Sequence, residues 1–172
     1  LVGIKKFELE NEKIKKLKKD EVLIKISSSA ICGSDLHYFR HGGLGTQKPN
    51  FPLSLGHETC GVIIDKNNTN FKNYQNIVID PLDVSECNHK KKISIGKCGF
   101  KKNLCPHQKY LGTFPTPGSF RELLKVHKDQ IRVINYQIDI KYGSMVEPCG
   151  VAQFAIQRAN INFNNENKIL IL

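Results

Sequence analysis

Residue types able to hold a metal ion for catalysis occur in three short contexts along this chain. Cys32 stands in "ICGSD", His57 and Glu58 stand side by side in "GHE", and Glu147 stands in "VEP". A catalytic zinc commonly takes three protein ligands from Cys, His and carboxylates and leaves a further position for water or substrate. Such ligands need not be neighbours in sequence. Cys32 follows an apolar run and precedes a turn, a place from which a thiolate can point into a cleft. Taken singly, each residue also has a plain reading: a small buried thiol, a turn histidine, a solvated glutamate. The chemical reading rests on the contexts occurring together and in order.

The surrounding pattern predicts the elements that must position them. Residues 1–10 and "EVLIKISSSAI" (21–31) alternate or run apolar as strands do, joined by a lysine-rich turn. "CGSDLHYF" then predicts a short helix, with Ser34 and Asp35 suited to capping it. "HGGLGTQKP" (41–49) reads as a loop, and "TCGVIID" (59–65) and "NIVIDPL" (76–82) as two more strands. Residues 83–119 are polar, rich in Cys, Lys, Pro and Gly, and form a long excursion. "SFRELLKV" (119–126) and "IRVI" (131–134) return to strand character. The spacing of Met145, Val151, Phe154, Ala155 and Ile156 predicts a helix over 142–159, and "NKILIL" begins another strand. Many short strands, then a helix, then an apolar strand predict an all-β module joined to the opening of an α/β unit.

Bulk composition narrows the classes. The chain has 172 residues, 40% of them hydrophobic and 24% charged, the balance of a soluble globular protein. No apolar run approaches the roughly 18 residues a membrane span needs. The net charge of +10 raises the question of nucleic acid. The lysines of "KIKKLKK" (13–19), "KKK" (90–92) and "KK" (101–102) are mixed with acids and asparagines, and no aromatic residues interleave as a base-stacking platform requires. A solvated basic surface is the better reading. Six widely spaced cysteines without a compact framework fit a reducing, cytoplasmic setting with some of them acting as metal ligands. The chain opens on Leu1 and closes on "NKILIL"; both ends read as cut, which predicts a piece of a longer protein.

In that order, "ICGSDLHYFRHGGLG", "FPLSLGHETCGVI", "NLCPH" and "MVEPCGVA" resemble the zinc-dependent medium-chain alcohol and polyol dehydrogenases, most of all the sorbitol, xylitol and L-idonate dehydrogenase branch. The resemblance covers about residue 20 to 172. It implies a mainly β GroES-like catalytic domain over 1–140. Residues 141–172 would then be the linking helix and first strand of an incomplete α/β Rossmann domain. By the same resemblance Cys32, His57 and Glu147 look like the catalytic zinc ligands, and Glu58 is a glutamate beside the metal that ligates it in some states. Ser34 matches the hydroxyl of a proton relay and Tyr38 a substrate-contacting tyrosine; His37 supports the relay or is a surface histidine. The implied reaction moves a hydride between the secondary hydroxyl of a polyol or sugar acid and NAD or NADP, with one zinc as Lewis acid. A homo-oligomer at full length is implied, with no nucleic-acid or membrane partner. The cofactor has no residue here to carry it, so the fragment alone is expected to be inactive. The competing reading is a truncated, non-catalytic remnant that keeps the zinc-binding fold.

In the family the excursion often carries four closely spaced cysteines around a structural zinc. This chain offers Cys87, Cys98 and Cys105, with His89 and His107 nearby, at spacings that do not match. Loss of that site is the expectation. Asn67 stands where a glycine or alanine is usual and can adopt the left-handed turn. Cys149 reads as a core thiol.

Overall fold

The computed structural model describes residues 1–87, 102–134 and 137–161, together with residues 164, 168 and 170. Its centre is a five-stranded antiparallel sheet of β1 (Glu21–Ala30), β2 (Glu58–Asp65), β3 (Asn76–Ile79), β6 (Leu123–His127) and β7 (Ile131–Val133), ordered β6-β1-β2-β3-β7. A two-stranded ribbon pairs β4 (Leu82–Asp83) with β5 (Lys109–Tyr110). The helices are α1 (Gly33–His41) and α2 (Val146–Ala159), the latter entered through a 3-10 turn over Ile140–Met145.

Period-two alternation builds the core. Val22 and Ile24 on β1 face Val126 and Leu124 on β6, and Ile24 also faces Ile63 on β2. All five are buried, with Ile77, Ile79, Leu111 and Ile131 completing the cluster. Directly opposed apolar pairs are what hold a sheet in register, because a one-residue slip would turn every one of them to solvent. Beyond Asp65 the chain turns through Asn67 at φ +50°, as its type allows, and the Asn67 side-chain amide donates to Lys18 O at 2.8 Å.

The start of β2 is covered on its second face. Residues 58–61 are all buried, because the 3-10 turn lies over them. Cys60 Sγ donates to Ile140 O at 2.8 Å and Ser28 Oγ to Lys141 O at 2.9 Å. A Cβ on Gly143 would come within 2.6 Å of the Cys60 Cβ. This seam fixes where α2 begins, and so where Glu147 stands.

Two expectations are corrected. Residues 1–10 form no strand; Lys5 at φ +58° closes a tight turn bridged between Gly3 and Lys6, and Ile4, Phe7 and Leu9 remain exposed. Leu1 instead packs with Tyr38, Leu53 and Leu55 in a second cluster. The helix predicted over 142–159 is present as α2, but its apolar residues Val151, Phe154 and Ile156 are exposed. Cys149, on the same helix, is an exposed thiol rather than a core one. The strand expected at "NKILIL" lies mostly outside the described residues.

Candidate metal centre

Each ligand candidate sits at the end of an element, where the backbone can aim a side chain without breaking a ladder. Cys32 is the N-cap of α1, in extended backbone between β1 and the helix. His57 and Glu58 lie at the entrance to β2, both buried. One ligand atom from each of Cys32, His57 and Glu58 lies within 4.8 Å of the other two. Among the described residues no other such group of three is formed.

Asp35 organises this group. It is buried at the third helical position, where its Oδ2 accepts from the Cys32 amide at 3.0 Å. Its Oδ1 accepts from the Gly56 amide at 3.1 Å and lies 4.0 Å from His57 Nδ1. One carboxylate therefore ties the loop that carries Cys32 to the loop that carries His57. The sequence reading of Asp35 as a helix cap is right as far as it goes, since Asp35 does close the α1 N-terminus. Ser34 takes no cap role and is half-buried in the first turn.

Gly56 makes the close approach possible. Its φ is +94°, and a Cβ there would meet Phe120 Cδ1 at 2.5 Å and Ser119 Oγ at 2.8 Å. Its carbonyl accepts from the Ser119 amide at 2.9 Å. A side chain at this position would push His57 away from Asp35.

Glu147 stands outside the three-residue group, although it was expected as a ligand. Its Oε1 accepts a hydrogen bond from the Tyr110 hydroxyl at 3.1 Å. The Tyr110 ring meets the His57 ring edge-on, with centroids 5.3 Å apart and planes at 63°. Burial first, and then the charges of Glu147 and Cys32, hold the Tyr110 phenol far above its usual range, so it remains a donor. Tyr110 escaped the sequence reading because "KYLGT" carries no ligand or nucleophile; only the β4–β5 ribbon brings it to His57.

Tyr38 is not placed with the cluster. It is 1% exposed and packs on Leu53 and Leu55; its hydroxyl is buried near Thr113 and Phe114 without a well-formed hydrogen bond. His37 lies exposed, its ring 5.7 Å from that of His41. In the lobe, Cys87 and Cys105 are buried with their sulfurs 3.5 Å apart; Cys98 and His89 fall outside the described residues. Among the described residues no helix is long and apolar enough to cross a membrane.

A β-sheet whose ends bring together a thiol, an imidazole and a carboxylate offers a donor set of the kind zinc takes. The alcohol dehydrogenase GroES-like domain matches residues 18–136, and the chain belongs to that family. It is 31% identical over 148 residues to the sorbitol dehydrogenase of Bacillus subtilis, covering 83% of this chain and 39% of that protein. It is 29% identical over 165 residues to the sorbitol dehydrogenase of Mus musculus, covering 95% and 44%. Among solved structures, L-idonate 5-dehydrogenase from Escherichia coli superposes with a TM-score of 0.71 at 28% identity, covering 81% of this chain and 40% of that one. The chain thus spans less than half the length of these relatives.

Proposed function

We propose that this chain is the metal-binding half of a zinc-dependent dehydrogenase that oxidises a secondary hydroxyl of a polyol or sugar acid, of the sorbitol, xylitol or L-idonate type. The reading rests on one observation, the convergence of Cys32, His57 and Glu58 within 4.8 Å. A thiolate, an imidazole and a carboxylate are the donors zinc prefers, and three of them leave a position for substrate. These three residues would hold the ion, and when bound it supplies Lewis-acid polarisation of the substrate hydroxyl.

The chain's own residues then divide the remaining work. Asp35 holds the two ligand loops at fixed separation through the Cys32 and Gly56 amides. Ser34, in the first turn of α1 beside Cys32, takes the proton from the substrate hydroxyl and passes it outward. His37 lies one helical turn on and exposed, at the solvent end of that route. Tyr38, buried in the apolar cluster, supports α1 rather than touching substrate. We assign residues 1–140 to the catalytic domain and 141–172 to the entry of the nicotinamide-binding domain. NAD or NADP would be the hydride partner, and we assign it no residue of this chain. A cytoplasmic setting is in keeping with free thiols at Cys32, Cys60, Cys87 and Cys149.

The test is oxidation of sorbitol, xylitol and L-idonate by the full-length protein with NAD or NADP supplied, alongside its Cys32→Ser and Ser34→Ala variants. Activity lost in Cys32→Ser together with the metal, and reduced in Ser34→Ala with the metal retained, supports the assignment. Undiminished turnover by Cys32→Ser overturns it.

A further inference from the structure

We propose that Tyr110 is a positioning residue whose hydroxyl holds the Glu147 carboxylate out of the Cys32–His57–Glu58 group, keeping one coordination position of the metal open. The inference rests on the metal reading above and assigns a role to a residue outside the ligand set.

Glu147 meets that set through Tyr110, which donates to its carboxylate and packs its ring on the ligand candidate His57. The glutamate stands in the first turn of α2, whose start is pinned to the sheet through Cys60–Ile140 and Ser28–Lys141. Its side chain is half-buried, and the partner its carboxylate takes is the Tyr110 hydroxyl. Tyr110 is fixed from the other side. Its backbone pairs with Leu82 across the ribbon, and Leu111 next to it donates to Pro81 O at 3.0 Å. With both backbones set by separate elements, the 3.1 Å bond from Tyr110 to Glu147 Oε1 selects the carboxylate's direction.

The chemistry gives that direction a consequence. Catalytic zinc sites keep three protein ligands and an open position, whereas four protein ligands close a tetrahedral site. Cys32, His57 and Glu58 already supply three donors. A free Glu147 would compete with substrate for the remaining place. A neutral hydroxyl is well suited to prevent this, since it satisfies the carboxylate without adding a charge beside the ligands. The Tyr110 ring also packs edge-on against His57, so the residue that restrains Glu147 rests on a ligand.

Tyr110→Phe keeps the ring and its packing and removes only the hydrogen bond. The experiment loads wild type, Tyr110→Phe and Tyr110→Phe/Glu147→Gln with Co(II), reads the thiolate-to-metal absorption band, and titrates each with imidazole as an exogenous ligand. Tyr110→Phe is expected to take imidazole about tenfold more weakly and to hold the metal more tightly against a chelator. The double variant is expected to regain wild-type imidazole affinity. A Tyr110→Phe chain that binds Co(II) and imidazole as wild type does overturns the positioning role alone, as does a double variant that stays like Tyr110→Phe. A wild-type chain that takes up no Co(II) overturns the metal reading and this inference with it. Far-ultraviolet circular dichroism identifies a variant that fails to fold, and Tyr110→Leu, lacking both ring and hydroxyl, then serves as the second variant. It too must weaken imidazole binding, and wild-type affinity in it overturns the proposal.

Discussion

The buried Asp35 carboxylate accepts the backbone amide of Gly56 at 3.1 Å across 21 residues of sequence. Its other oxygen accepts the Cys32 amide. Asp35→Ala leaves both amides without their acceptor, and a buried unpaired donor costs about 1–3 kcal/mol. The expected loss in urea unfolding is about 3 kcal/mol, with zinc affinity down by about 10- to 100-fold. Asp35→Asn keeps an oxygen for one amide only and should fall between. A loss under about 1 kcal/mol for Asp35→Ala would show that the two loops are held by something else.

Gly56→Ala tests the close approach directly. A methyl group must enter a site 2.5 Å from the Phe120 ring, at a φ of +94° that alanine rarely adopts. Strain of this kind costs about 1–3 kcal/mol, and the displaced His57 should lower metal affinity as well. The denaturation midpoint and the zinc content of the purified variant measure the two effects. An unchanged midpoint would contradict the packing described at Gly56.

Tyr38→Phe separates a core residue from a substrate contact. The Tyr38 hydroxyl is buried without a well-formed partner, so its removal should be neutral or stabilising by up to about 1 kcal/mol. KM for the polyol should not move. A raised KM with unchanged stability would return Tyr38 to the substrate site.

Asp20 gives the fold an acid-sensitive contact. Its carboxylate accepts from Lys128 Nζ at 3.1 Å, and that hydrogen bond holds its pKa below the usual aspartate value. A depressed folded-state pKa contributes stability present above the unfolded value near 3.8 and lost as pH falls through the folded one. The stability of Asp20→Asn should therefore converge on that of wild type in acid and differ from it at neutral pH. A difference between the two that does not change with pH would contradict the contact.

Much of the site is legible in the sequence because its residues carry chemistry in their names. Cys32, His57 and Glu58 stand in contexts that also specify their elements, a strand end with a helix cap and a strand entrance. Asp35 is half legible: its capping role follows from spacing, but its bond to Gly56 joins two distant loops and leaves no local pattern. Tyr110 is invisible, since a tyrosine in a polar excursion says nothing until a two-residue ribbon sets it against His57.

The fold shows the same division. β6 and the first half of β1 follow a period-two pattern, while the start of β2 and most of β3 are buried on both faces. Residues 1–10 alternate similarly, yet the chain turns at Lys5 and Ile4, Phe7 and Leu9 stay in solvent. On α2 the helical period is right, and the apolar residues that carry it are exposed. Periodicity states which face is apolar, and a partner surface decides whether that face is covered.

The metal content of the purified chain tests the central claim most directly. Wild type should carry about one zinc per chain, with the Co(II)-substituted form showing a thiolate charge-transfer band, and Cys32→Ser should lose both. A wild-type chain free of zinc, or a Cys32→Ser chain that keeps its zinc and the thiolate band, would contradict the account.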